Sequence, residues 1–233
     1  MMHIWLISFI ILLLLLIFYT IIPTVLIRVC SLGITKKINS NNGIALTFDD
    51  GPNPEYTIKL LDLLKEYEIK ATFFVVGSKV KSNPGIIKRM HEEGHTIGIH
   101  HFHHVSSWVL SPIHLRKQLE MTEKAITECT NEKVVYYRPP WGHFNFFTPL
   151  FSRKYKVIMW SGIFGDWKVE NCKNTLLDQL RSTSTEGSIL LLHDCGETLG
   201  ADKEAPGYMI EMLKIYLQES KEKGTHFISL KDL

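Results

Sequence analysis

The chain has 233 residues, 45% of them hydrophobic, and a formal net charge of +2 at neutral pH. That is enough chain for one domain with a full core, and a charge so near balance excludes the strongly basic surface a nucleic-acid partner demands. Cys30, Cys129, Cys172 and Cys195 are too scattered for a zinc knuckle or a disulfide framework and leave the redox compartment open.

The first element in chain order is an apolar run over 4–27 without a charged residue. As a helix it would extend roughly 36 Å, enough to cross a bilayer. Only His3 stands where a signal peptide needs a basic start, and Leu26-Ile27-Arg28-Val29-Cys30 offers no small-residue cleavage site, so an uncleaved anchor fits better. A buried core helix fits less well, because this one has no polar face to turn to water. The expectation is a transmembrane anchor over 1–28, a linker over 29–42 and a single domain over 43–233, with the lipid bilayer as one partner. Arg28, Lys36 and Lys37 follow the span and no Lys or Arg precedes it, which by the positive-inside rule favours a cytoplasmic domain.

Beyond the linker, strand patterns fall at 44–48, 71–76, 96–99, 134–137, 157–160, 188–192 and 226–229, each short, apolar and often β-branched or aromatic. Helical patterns lie between them: 55–67 after Pro54, 84–93 ending at Gly94, 112–130 with Leu115, Leu119, Thr122 and Ile126 on one stripe, 148–154, 175–181, and 208–223 ending at Gly224. Such alternation implies parallel strands with helices outside, as a small (β/α) barrel or an open doubly wound sheet. Asp49 and Asp50 follow the first strand, His100 the third, Arg138 the fourth, Asp166 the fifth and His193 the sixth. A barrel gathers all these loops around one mouth, whereas an open sheet converges only those near a switch point, so a closed or nearly closed barrel is expected.

Thr47-Phe48-Asp49-Asp50-Gly51-Pro52 ends an apolar run in two adjacent carboxylates and a turn. One carboxylate with the imidazoles of His100 and His104 makes a ligand set for a catalytic metal with an open position for water, and so for a metal-dependent hydrolase. The two histidines could meet the metal from one helical turn or from a loop that folds back. Each piece also has a plainer reading: His100-His101-Phe102-His103-His104 as a solvated loop, Asp49-Asp50-Gly51 as an Asx-stabilised turn, Arg138 as a surface salt bridge, His193 as a core histidine.

These segments, with Arg138-Pro139-Pro140-Trp141-Gly142, Asp166-Trp167 and Leu190-Leu191-Leu192-His193-Asp194, stand in the order of the polysaccharide deacetylase family, the NodB-homology domain of carbohydrate esterase family four. The resemblance covers about 41–233. It implies a distorted (β/α)7 barrel and metal-dependent removal of N-acetyl, sometimes O-acetyl, groups from amino sugars of peptidoglycan-like or chitin-like glycans. It makes Asp50, His100 and His104 the metal ligands, with Zn²⁺ the expected ion, and Asp49 the general base held by Arg138. His193 becomes the acid for the departing amine with Asp166 as its partner. The backbone N–H of Trp141 becomes an oxyanion donor, and Trp141 and Trp167 match substrate-groove positions. The sequence departs from the family pattern at Ile99 and His101, which flank the first ligand histidine, and at Ile163, where an Asp is usual; the substrate groove is expected to differ accordingly. An N-acetylated glycan of the cell envelope is the expected substrate, with an extracellular domain. A lipid-linked sugar at the membrane surface, which suits a cytoplasmic domain, and a non-catalytic carbohydrate-binding barrel are the alternatives.

Overall fold

The computed structural model describes residues 2–38 and 43–232. Its sheet contains β1 (Ile34–Thr35), β2 (Ile44–Asp49), β3 (Thr72–Val75), β4 (Thr96–Ile99), β5 (Tyr136–Tyr137), β6 (Lys156–Ile158), β7 (Gly162–Ile163), β8 (Ile189–His193) and β9 (Phe227–Ile228). The order across the sheet is β1-β6-β5-β4-β3-β2-β8-β7, with β9 also pairing β2, and the named ladders are parallel. Every expected strand is present, whereas β1 and β7 were not foreseen, because two residues each carry no readable alternation.

The helices are α1 (Met2–Tyr19), α2 (Ile21–Cys30), α3 (Tyr56–Glu66), α4 (Gly77–Ser82), α5 (Pro84–Glu92), α6 (Pro112–Thr130), α7 (Thr148–Ser152), α8 (Val169–Asn174), α9 (Leu176–Thr183) and α10 (Ala205–Glu222). The six-residue α4 and α8 are too short to show a periodic stripe and were not foreseen either.

Only Met159, Trp160 and Ser161 separate β6 from β7, which lie toward opposite ends of the sheet, so the sheet curls until those ends nearly meet. The crossing segment is tied to both sides, Met159 N–H to the Thr35 carbonyl at 2.8 Å and Ser161 N–H to that of Ile189 at 2.9 Å. No ladder joins β6 to β7 among the described residues. The expected distorted barrel is therefore a curled parallel sheet whose seam is crossed by chain.

Strand alternation then sorts the side chains. Leu46, Phe48, Leu190 and Leu192 point outward into the main core under the helices. Ala45, Phe74, Tyr136, Ile158 and Ile189 form a second cluster inside the curl, closed from below by Leu230. Asp49 has the parity of Ala45, and His193 that of Ile189, so both emerge at the C-terminal mouth above the inner cluster.

Met2–Cys30 is 29 residues long and contains an 18-residue window of mean hydropathy 2.9. Pro23 has no N–H to give to the carbonyl of Tyr19 four residues back. That carbonyl instead accepts the N–H of Phe146 at 3.0 Å, and the helix breaks at Thr20. α1 buries no residue, while α2 buries Thr24 and Ile27. Thr24 Oγ1 donates to the Phe144 carbonyl at 2.7 Å and accepts from Phe144 N–H at 3.0 Å and Trp108 Nε1 at 2.8 Å. The C-terminal part of the apolar run is thus docked on the barrel rather than tethered to it. The stretch read as a linker, 29–42, also departs from a free connection: β1 lies on the sheet edge and Lys37 bridges to Ser188, while 39–42 fall outside the described residues.

Candidate active site

β2 carries Asp49 as its last residue, and Asp50 follows in the left-handed region at φ 78°, a conformation a non-glycine residue holds only at a cost. The next residue has to be glycine, since a Cβ at Gly51 would lie 2.3 Å from the Asp194 carboxylate. This turn sends the two carboxylates in different directions. Asp49 goes to a buried cation: Arg138 Nη1 donates to its Oδ1 at 2.7 Å. The rest of the guanidinium is satisfied by Thr47 Oγ1 and the carbonyls of Ile158 and Met159 at 2.9–3.0 Å, and its face lies over Phe74 at 4.2 Å. Arg138 is fully buried; burial lowers its pKa and Asp49 opposes that shift.

Asp50 faces the two imidazoles, Oδ1 lying 3.3 Å from His100 Nε2 and 2.9 Å from His104 Nε2. His100 Nδ1 meets the Arg138 carbonyl at 2.8 Å. A carbonyl only accepts, so Nδ1 donates here and Nε2 is the ring nitrogen turned toward Asp50. Burial works against the Asp50 carboxylate, but the facing imidazoles outweigh it and hold its pKa well below the ordinary value. Burial lowers the pKa of His104. A buried carboxylate with two imidazole Nε2 atoms converging on it is a donor set that suits a metal ion.

The fit to a metal is geometric as well. The three donor atoms lie within 4.8 Å of one another; the 3.3 Å Asp50–His100 separation matches the ~3.3–3.4 Å between ligands of a tetrahedral zinc site with bonds of ~2.0–2.1 Å, and the 2.9 Å Asp50–His104 separation is shorter. Asp50 Oδ1 is buried and accepts no well-formed hydrogen bond, as a ligand atom should be. Its other oxygen accepts from Thr198 Oγ1 at 2.8 Å.

His104 reaches the site from a folded-back loop, with His101 and His104 both left-handed at φ 61° and 52°. The loop is pinned by Gln118 of α6, whose Oε1 accepts the N–H groups of Phe102 and His103 at 2.9 and 2.8 Å. His101 points away from the ligands: Nδ1 meets the Val105 carbonyl at 2.7 Å and Nε2 the Tyr137 hydroxyl at 2.8 Å. Burial drops its pKa to about 3, so it is neutral, donating through Nδ1 and accepting Tyr137 O–H at Nε2. Ile99 lies in the core beneath the helices, so neither flanking departure puts a side chain among the candidate ligand atoms.

Opposite, Asp166 holds His193 by both oxygens, Oδ2 accepting its backbone N–H at 2.7 Å and Oδ1 facing ring Nδ1 at 3.0 Å. Burial alone would lower the His193 pKa, but Asp166 more than compensates and raises it to about 9. Trp167 stands edge-on to this ring at 5.3 Å and Trp141, left-handed at φ 55°, covers His104 at 4.4 Å. Asp49, Asp50, His100, His104, Trp141, Trp167 and His193 line one cavity of about 390 Å³; Arg138 and Asp166 act on it from behind. Ile163 opens onto the same cavity.

Sequence reasoning missed three contributors. Thr198, in the loop after β8, and Gln118, on a helix, carry no motif signal. Arg28, counted only as a charge flanking the span, lines the cavity.

The family profile described as polysaccharide deacetylase matches residues 36–156. The peptidoglycan-N-acetylglucosamine deacetylase PgdA of Listeria monocytogenes is 35% identical over 84% of this chain and 40% of its own length, so the chain spans well under half of that relative. The peptidoglycan-N-acetylmuramic acid deacetylase PdaA of Bacillus subtilis is 34% identical over 87% of this chain and 73% of its own. Its solved structure matches with a TM-score of 0.75 at 32% identity, over 89% of this chain and 86% of that one. A CE4 family pseudoenzyme from Bacillus anthracis also matches, with a TM-score of 0.71 at 26% identity over 85% of this chain and 67% of that one. The fold therefore occurs with and without activity, and the weight rests on the site.

Proposed function

This chain belongs to the polysaccharide deacetylase family, and we propose that it is a metal-dependent hydrolase that removes N-acetyl groups from the amino sugars of a peptidoglycan-like cell-envelope glycan. One observation carries this reading: a metal-ligand triad, a carboxylate kept off it by a buried arginine, and a carboxylate-paired histidine share a single cavity.

Asp50, His100 and His104 would hold the ion, with Zn²⁺ favoured by the two-imidazole, one-carboxylate donor set. Bound there, it would polarise the acetyl carbonyl and a water molecule. Asp49, fixed by Arg138, takes a proton from the attacking water as its oxygen bonds to the acetyl carbon. The backbone N–H of Trp141 donates a hydrogen bond to the carbonyl oxygen as negative charge develops there. His193, held as an imidazolium by Asp166, gives its proton to the nitrogen as the C–N bond breaks, releasing acetate and leaving the free amine. A purely carbohydrate-binding barrel has no use for the Asp166–His193 couple, which favours the catalytic reading.

The N-terminal apolar helix supports membrane attachment. The eighteen residues of α1 reach ~27 Å, close to the ~30 Å hydrocarbon core. Phe18, Tyr19, Phe146 and Phe147 cluster at its end, as aromatic residues do at a bilayer interface. We place the domain outside the cell. Two of the three basic residues behind the contrary topology signal have structural employment: the Lys36 ammonium donates to the Arg28 carbonyl at the end of α2, and Arg28 faces the cavity. Docking of α2 also keeps the cavity near the bilayer, which favours membrane-proximal glycan and leaves a lipid-linked sugar as the second reading. Acetate release from N-acetylated glycan by the metal-loaded full chain tests the proposal.

A further inference from the structure

Arg28 is the one Lys or Arg lining the active-site cavity among the described residues, and it comes from the apolar helix rather than from the barrel. Its guanidinium lies over the Trp160 ring at 5.4 Å, and a Cβ built at Gly142 would stand 3.6 Å from its Nη1. The cation therefore sits against the Trp141-Gly142 turn, on the wall of the cavity that also holds the metal-ligand triad.

Its placement is fixed. One turn earlier Thr24 is buried and hydrogen-bonded to Phe144 and Trp108, and the Arg28 carbonyl is taken by Lys36, so the last turn of α2 cannot swing away. The charge, by contrast, is left open. The cavity carboxylates are committed elsewhere, Asp49 to Arg138 and Asp50 to the histidines and Thr198, and no ion pair to Arg28 occurs among the described residues. A basic residue at the end of a membrane span ordinarily reaches out to lipid headgroups. This one turns the other way, onto a Trp160 ring that also faces the buried Arg138 at 5.7 Å. A half-buried guanidinium with no ion-pair partner among the described residues, held on a rigid element beside the reacting centre, is suited to grip an oxyanion in a two-pronged hydrogen bond.

We propose that Arg28 forms a subsite for an acidic substituent, carboxylate or phosphate, carried by the glycan, so that the apolar helix contributes substrate selectivity to the barrel. This deepens the deacetylase reading and rests on it. An uncharged sugar at the same position leaves the guanidinium unpaired, so the acidic glycan gains about tenfold or more in kcat/KM, the scale of one charged hydrogen bond.

The test uses the full chain in detergent or a lipid nanodisc with added zinc. Acetate release is measured from short N-acetylated glycans bearing a free carboxylate, its methyl ester, a phosphate, or no acidic group. The wild type is expected to favour at least one acidic glycan over its uncharged counterpart about tenfold. The carboxylate and phosphate arms identify the oxyanion. Arg28→Gln is expected to collapse that ratio toward one, and Arg28→Lys to retain part of it. Equal kcat/KM for acidic and uncharged glycans in the wild type overturns the subsite, as does a preference that survives in Arg28→Gln. The wild-type ratio decides even if the Gln variant fails to fold. Acetate release from none of the glycans contradicts instead the deacetylase reading beneath it.

Discussion

Asp166 grips His193 at two points, its backbone N–H at 2.7 Å and its ring Nδ1 at 3.0 Å, so the strand end and the imidazole are aligned by one carboxylate. The pairing turns Nε2 toward the cavity and raises the pKa to about 9 from an ordinary 6.5. The sign follows: because the folded-state value is raised, the couple stabilises the protein fully below about 6.5, and that contribution is lost as pH rises through about 9. Asp166→Asn is expected to move the His193 titration of the metal-free protein downward, read by NMR, and to cut turnover by ~10²–10⁴-fold with metal content kept. An unmoved titration with full turnover would remove Asp166 from its role.

Arg138 positions two groups at once, Asp49 by its side chain and His100 by its carbonyl. Arg138→Met leaves Asp49 buried without its cation, a loss of about 3–5 kcal/mol. Thermal unfolding should then fall by roughly 10 °C and turnover with it. An unchanged Tm would show that the pair is not integral to the fold.

His101 supports the ligand loop through Val105 and Tyr137 without touching the metal site. His101→Phe keeps a ring but leaves both partners unpaired, so zinc affinity measured against a competing chelator should drop ~10–100-fold. Unaltered affinity would mean that Gln118 alone holds the loop.

Thr198→Val removes the one hydroxyl that hydrogen-bonds Asp50 Oδ2. The loss expected is again ~10–100-fold in zinc affinity. Circular dichroism and unfolding temperature should stay near wild type, since the loop packs little of the core. A fully retained affinity would show that the histidines alone orient the carboxylate.

The sequence made the strand ends legible because each motif residue closes an apolar run: Asp49 ends β2, His193 ends β8, and His100 follows β4. That Asp49 and His193 lie on the inner side of the curl follows from the observed inner cluster, whose strand parity they share. The short β1 and β7 escaped notice, and the closed or nearly closed barrel expected from five converging loops is a curled sheet whose seam is crossed by Met159, Trp160 and Ser161. His104 on a loop rather than a helix could not be settled by a four-residue spacing, which both geometries satisfy. The docking of α2 was hidden for a physical reason. Thr24 inside an apolar run reads as a tolerated polar residue, and only the fold shows Phe144 and Trp108 waiting for its hydroxyl. Arg28 was read as topology for the same reason.

The most direct test of the central claim is acetate release from an N-acetylated peptidoglycan-like glycan by the full chain, with zinc and after treatment with a strong chelator. The account predicts acetate and a free amine with zinc, loss of release on chelation and recovery on adding zinc back. Release that persists without metal, or cleavage of the sugar chain in place of acetate, would contradict it.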